Sequence, residues 1–233
     1  MGMTDIRACI LFEDNEMMVL RKPSGTPVQS AGIGTMDLES GIRNYLAEKT
    51  PGKMPYVGII HRLDQPVEGV LVFAKNPSAA KELSRQMTAG ELGKYYYAVT
   101  DQKPLKEQAV LEDILLKDGR NNISKVVNKG TPGSKAARLS YELIEEAEDA
   151  RTRTGKKYLL KIKLDTGRHH QIRVQMSHAG MALLGDKKYN AEEKSGYPLA
   201  LCSYCLELMH PKKKKKMVFE IRPEGQAFQG FFM

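Results

Sequence analysis

Two runs in the second half of the chain constrain its fold most. Ala137, Leu139, Tyr141 and Leu143 stand at every second position, and so do Tyr158, Leu160, Ile162 and Leu164. Successive side chains of a strand point to opposite faces, so each run predicts a strand with one face on a common core. Around them, ILFEDNEMMVLRKPSGTPVQS predicts two short strands joined at Glu13–Glu16 and closed by the turn Pro23–Gly25. From Met36 to Lys49, Leu38, Ile42, Tyr45 and Leu46 fall on one helical face. The unbroken apolar run Val70–Ala74 predicts a strand buried on both faces. Asn76-Pro77 then offers an N-cap with proline at the first helical position, and Ala80, Leu83 and Met87 line a helix ending at Gly90. KYYYAVT at 94–100 reads as a strand, and 117–134 as a polar excursion or loose hairpin. A helix is expected over Arg168–His178, with Ile172 and Met176 inward, followed by strands at Leu199–Leu208 and Phe219–Ile221. Elements in this order, with no visible linker or repeat, predict one α+β domain over 1–233 with a largely antiparallel or mixed sheet.

Composition narrows the function. Lysine and arginine exceed aspartate and glutamate by 36 to 28, a net charge of +8, which favours polyanionic partners. An apolar content of 41% excludes wholesale disorder, and three cysteines are too few for a disulfide framework. No stretch is long and apolar enough for a transmembrane helix, and the first residues lack the pattern of a secretory signal, so a cytoplasmic protein is expected.

Two constellations are candidates for chemistry. In Ile60-His61-Arg62-Leu63-Asp64, a carboxylate and two basic side chains form a polar island in apolar sequence. A guanidinium beside a desolvated Asp64 would keep it ionised, ready to act as nucleophile or base. A surface loop carrying an ordinary Arg–Asp pair fits the same residues. In LDTGRHHQIR, at 164–173, the chain passes through Gly167 towards a helix N-terminus, where backbone N–H groups favour anions. Arg168, His169, His170, Gln171 and Arg173 crowd donors there. Arg173 lies beside the buried seam and therefore needs a partner, for which Asp64 is a candidate.

A shared metal at His169, His170 and His178 is disfavoured by their angular spacing on a helix, and Cys202 and Cys205 fall on opposite faces of a strand. The run Lys212–Lys216 fits a solvated turn or a phosphate contact equally. Tyr96 points opposite to Tyr95 and Tyr97, and one such ring could stack on a base. Walker, dinucleotide-binding, zinc-protease and nucleophile-elbow motifs are all missing from the sequence.

At HRLD the chain resembles the RluA-type pseudouridine synthases, which isomerise uridine in ribosomal or transfer RNA. The opening resembles the family's strand pair and "KP-G" turn, and GIIHRLDQPVEGVLVFAKN its catalytic-aspartate block. GKYYYAV, the stretch Lys135 to Tyr141, and LDTGRHHQIRVQMSHAGMALLGDKKYN resemble three further blocks in the same order. The resemblance implies a pseudouridine synthase fold, with a mixed, mostly antiparallel sheet and flanking helices around a central RNA-binding cleft. It implies a cofactor-free, metal-free RNA isomerase with Asp64 as the essential carboxylate. Tyr96 would stack on the flipped uracil and Arg173 would pair with Asp64. Arg62 would support the flipped nucleotide, with His61, Lys94, Arg168, His170 and Gln171 as further RNA-binding residues. Large-subunit rRNA, tRNA or both would be the substrate.

Three departures mark this chain: Val67-Glu68-Gly69 where relatives read "T-S-G", His169 in place of a small residue, and Gln175 where a second histidine is common. Glu68 is expected to bring negative charge to the RNA path. The chain is expected to be a monomeric catalytic domain without a separate N-terminal RNA-binding domain. A non-catalytic RNA-binding or ribosome-assembly protein on the same fold is the alternative.

Overall fold

A computed structural model describes residues 5–30 and 37–232. In chain order the elements are α1 (Ile6–Cys9), β1 (Ile10–Glu13), β2 (Met17–Lys22), α2 (Leu38–Lys49), β3 (Gly58–Ile59), β4 (Glu68–Ala74), α3 (Pro77–Thr88) and β5 (Gly93–Thr100). There follow β6 (Gln108–Asp118), β7 (Ile123–Val126), β8 (Lys135–Glu148), β9 (Lys156–Leu164), α4 (Gln171–His178), β10 (Leu201–Met209), β11 (Lys216–Glu220) and a turn of 3-10 helix at Gln226–Phe228. The described residues fall into two compact units, 5–30 and 37–93 with 203–222, and 94–202 with 223–232.

In the first unit β2 lies antiparallel between β1 and β4, with Met17 opposite Ala74 and Lys22 opposite Gly69. All seven residues of β4 are buried, as its unbroken apolar run predicts. Asn76 caps α3 by accepting the Ala79 N–H at 2.8 Å, and Pro77 follows at the start of the helix. Ala79 and Leu83 then meet Val19, Val70, Val72 and Leu206 in one core cluster. Each large side chain so buried contributes about 1.5–3 kcal/mol. An exposed pair such as Arg7–Glu48 contributes about 0–1 kcal/mol, so the apolar face of α3 and not the surface ion pairs holds this unit. Gly69 has φ +143°, and a Cβ there would lie 2.5 Å from Ser203 Cβ. Only glycine lets β4 begin against that neighbour.

In the second unit the strand order is β5-β9-β8-β6-β7, with antiparallel neighbours throughout. The strands predicted around residues 137–143 and 158–164 are β8 and β9, with Tyr141 opposite Ile162. The segment read as a loose excursion is in part regular: Ile123–Val126 pairs with the end of β6, Asp118 opposite Ile123. Strand β6 itself had no counterpart in the sequence reading; its burial alternates only between exposed and intermediate over Gln108–Asp113, and its apolar residues fall in runs and not at every second position. Helix α4 begins three residues later than expected, because His170 has the left-handed φ of 53° and stands outside it.

Candidate active site

The first unit supplies His61, Arg62 and Asp64, in the connection between β3 and β4. Leu63 is buried and Arg62 exposed, while Asp64 is half-buried at the start of a turn that its own carbonyl closes on Val67 N–H at 3.0 Å. His61 is buried, and its Nε2 accepts the Val72 N–H of β4 at 3.4 Å. This loop is stitched to the Pro23–Gly25 turn. Gly25 N–H donates to Gln65 O at 2.9 Å, Gln65 Nε2 to Gly25 O at 3.0 Å, and Ser24 Oγ to Pro66 O at 2.7 Å.

At the centre of the stitching is a residue that sequence reasoning left out of the site. Lys22 is fully buried, and its Nζ donates to the carbonyls of Pro23 at 2.9 Å, Thr26 at 2.7 Å and Gln65 at 2.8 Å. All three ammonium protons therefore meet neutral acceptors. Burial pushes its pKa down to about 7, against the upward pull of the Asp64 and Glu68 charges. The signal was a lysine closing the apolar strand MMVLRK. Glu68 corrects an expectation: its side chain is buried, 3.9 Å from Arg21 Nη2, and does not present its charge at the surface.

The second unit supplies the other candidates. Tyr96 is buried on β5 opposite Ile162, whereas Tyr95 and Tyr97 are half-buried on the other face. Lys94 is buried beside Tyr96's face of the strand. Burial, then the nearby Arg168 charge, lower its pKa, and Asp165 opposes them. Arg168 is exposed, its Nε donating to Ala136 O at 2.9 Å. Gln171 is buried and ties the entry to α4: its Oε1 accepts from Arg168 N–H at 2.9 Å and Thr166 Oγ at 2.7 Å. His170 is buried too, with Nδ1 2.8 Å from Tyr189 Oη. His169 stacks on it at 3.8 Å and places its own ring nitrogens 2.9 Å from Ser124 Oγ and 3.0 Å from Asn122 Oδ1. The β6–β7 hairpin is thereby fastened to the start of α4.

Helix α4 is not the one-sided helix expected, since its first six residues are all buried. Arg173 is among them, and the structure gives it a partner the sequence reading did not name. Its Nε and Nη2 donate to Asp186 Oδ2 and Oδ1 at 2.8 and 2.7 Å. The Tyr189 ring lies 5.2 Å from the guanidinium carbon. Asp186 stands in the LLGD tail of the last motif, quoted above without a role.

The Lys212–Lys216 run is a turn between β10 and β11. Lys212, Lys213, Lys214 and Lys216 are exposed and face Glu16, Asp14, Glu82 and Glu207 at 3.0–3.6 Å. Buried His210 accepts the N–H groups of Lys212 and Lys213 on Nδ1, so its Nε2 carries the proton donated to Asp14 at 2.7 Å. No group of three or more His, Cys, Asp or Glu able to hold a metal occurs among the described residues. No helix among them is long and apolar enough to cross a membrane.

Comparison with known proteins fixes the family. Residues 16–178 match the family of RNA pseudouridylate synthases. An uncharacterised RNA pseudouridine synthase of Zymomonas mobilis is 29% identical over 88% of this chain and 89% of its own length. Ribosomal large subunit pseudouridine synthase D of the same organism is 31% identical over 93% of this chain and 69% of its own. Ribosomal large subunit pseudouridine synthase C of Vibrio cholerae is 29% identical over 91% and 65%. In fold, the chain is similar to human RNA pseudouridylate synthase domain containing 4, with a TM-score of 0.76 at 20% identity over 94% of this chain and 90% of that one. The motifs, the pseudouridine synthase fold and these relatives agree: the chain belongs to the RluA-type RNA pseudouridine synthases, isomerases that act on uridines in RNA.

Proposed function

We propose that this chain converts a uridine of large-subunit ribosomal RNA to pseudouridine, with Asp64 as the essential carboxylate. The observation that carries the reading is the HRLD block, whose Asp64 sits half-exposed on a turn pinned from below by Lys22 and the Pro23–Gly25 turn. A loop backbone held that firmly presents its carboxylate with little reorganisation on meeting a reacting sugar or base. The substrate follows from two relatives named for the large ribosomal subunit and from the surplus of eight cations.

In this reading the N1–C1′ bond breaks, uracil turns, and C5 bonds to C1′; the C5 proton is lost and N1 gains one, so no oxidant or reductant is needed. Tyr96 stacks on the flipped base, and Arg173 serves as the basic partner in catalysis. Exposed Arg62 supports the flipped nucleotide and exposed Arg168 meets backbone phosphate. His61, Lys94, His170 and Gln171 complete the RNA-binding residues in this reading, Gln171 by accepting the Arg168 N–H. Flipping costs a few kcal/mol and least in loops, so a looped target is expected. The chain acts as a monomeric catalytic domain.

The test is pseudouridine mapping by carbodiimide-block primer extension on total RNA. It compares a host lacking the gene, the complemented host, and a host carrying Asp64→Asn. A stop in 23S-type rRNA that vanishes in the deletion and returns only with intact Asp64 is the expected result. A stop restored by Asp64→Asn would overturn the role of Asp64, and a stop confined to tRNA would overturn the substrate.

A further inference from the structure

Arg173 has five N–H donors, and its Nε–Nη2 edge is held by a single carboxylate. The Nε and Nη2 atoms form a two-point fork with Asp186, both side chains almost wholly buried. Asp186 is itself fixed by backbone, because Oδ1 also accepts the N–H groups of Lys188 at 3.0 Å and Tyr189 at 3.3 Å. The residue before it cannot be other than glycine without rearrangement. Gly185 has φ +74°, and a Cβ there would lie 2.2 Å from Pro198 O. The segment leading to it is anchored to the end of β5, Leu184 N–H donating to Val99 O at 2.9 Å and Leu184 O accepting from Ala200 N–H at 2.9 Å. Tyr189 closes the arrangement, with its ring near the guanidinium and its Oη accepting Ser124 N–H at 2.7 Å while meeting His170 Nδ1.

We propose that Asp186 is a positioning residue for the isomerisation, holding Arg173 by its Nε–Nη2 edge and so fixing the direction in which the guanidinium points. This rests on the reading of Arg173 as the basic partner in catalysis. The carboxylate does more than neutralise a buried charge. A charge needs only proximity, whereas the fork, the two backbone N–H groups and the close-packed glycine before Asp186 fix direction. Direction is what a catalytic guanidinium requires, since a displacement near 1 Å is enough to lose about 10²-fold in rate.

The test measures single-turnover pseudouridine formation at saturating RNA, RNA Kd and thermal stability for Asp186→Asn. The amide matches the carboxylate in shape but turns a donor towards the guanidinium. Rate is expected to fall about 10²-fold with Kd within about threefold of the parent. Asp186→Glu keeps the charge and moves it by one methylene; it retains the fold and still loses rate, which decides the matter if the asparagine variant is too unstable. In an Arg173→Gln background, Asp186→Asn is expected to cost no further rate, because both changes remove one arrangement. Parental rate in folded Asp186→Asn and Asp186→Glu, or additive losses in the Arg173→Gln background, would overturn the proposal. Asp64→Asn measured alongside keeps the two readings apart: if it stays active, the catalytic reading fails irrespective of Asp186.

Discussion

Lys22 in the first unit and Arg173 in the second pose the same physical problem, a cation removed from water, and the chain solves it in two ways. Lys22 is given three neutral carbonyls and no carboxylate within hydrogen-bonding distance is among them. Arg173 is given a carboxylate matched to its shape. The difference follows from the side chains. An ammonium is a point donor that can shed its proton when burial demands it, while a guanidinium cannot and must carry its counter-charge with it. One site is therefore sensitive to pH and the other is not. The lysine binds two loops together through backbone; the arginine is held through the side chain of Asp186.

That contrast sets the largest expected effect on stability. Arg173→Ala strands Asp186, fully buried, without its cation, and should cost about 3–5 kcal/mol in a urea titration. Asp186→Asn combined with Arg173→Gln should recover most of it, since no uncompensated charge remains. A single variant as stable as the parent would mean that the buried pair contributes nothing.

Lys22→Met removes the donor from three carbonyls at once and should cost about 2–3 kcal/mol. It should also change the pH dependence. Unfolded, Lys22 keeps its proton to about 10.4; folded, to about 7. Between those values the unfolded chain binds more protons, so this group makes stability rise with pH, by up to about 1.4 kcal/mol per unit. Below pH 7 both states are protonated and the slope vanishes. Subtracting the Lys22→Met stability curve from the parent's isolates that slope; a flat difference over pH 7–10 would show that the lysine is not depressed.

Legibility in the sequence follows the same division. Strand β4, the cap at Asn76 and the faces of β8 and β9 were readable because each obeys a local rule: an unbroken apolar run, an Asn-Pro start, strict alternation. Asp64 was readable as a candidate because HRLD is a polar island before such a run. Strand β6 was not, since Glu112, Asp113 and Lys117 interrupt its pattern and its partner β8 supplies the order. The partner of Arg173 stands thirteen residues away in LLGD, beyond any helical or strand spacing, so only tertiary structure brings the two together. Lys22 was quoted only as part of the "KP-G" turn, because a lysine at a strand end is ordinarily a solvated one. Glu68, expected to bring negative charge to the RNA path, is instead buried at the start of β4.

A smaller effect is expected at Asp14, where a third arrangement joins the β1–β2 turn to the β10–β11 turn. Partial burial works against its ionisation, but hydrogen bonds from His210 and from the N–H groups of Glu16 and Met17 outweigh it and hold Asp14 at about 2. Its unfolded pKa is about 3.9, so its contribution is complete above that value and is lost as pH falls through 2. Asp14→Asn should cost roughly 1–2 kcal/mol at pH 7 and only about a fifth of that at pH 2, where the folded-state carboxylate is half protonated. An equal cost at both values would assign the effect to packing and not to charge.

The smallest effect separates the lysine run from the RNA. A protein that neutralises phosphates on a single strand loses affinity with salt, with a slope of about −0.7 per phosphate in log K against log salt. Four of the five lysines at 212–216 already face carboxylates of their own unit, namely Glu16, Asp14, Glu82 and Glu207. These pairs are exposed, worth about 0–1 kcal/mol each, and Lys215 O accepts His210 N–H at 2.8 Å through backbone that a glutamine preserves. Changing all five to glutamine should therefore leave the salt slope of RNA binding unchanged within about 0.5 and stability lowered by no more than about 1 kcal/mol. Arg62→Gln and Arg168→Gln, measured in the same titration, should each flatten the slope by about 0.7 if each meets one phosphate. A slope that fell by 2 or more in the lysine variant would move the RNA path onto the β10–β11 turn and leave its four carboxylates as competitors for the phosphates.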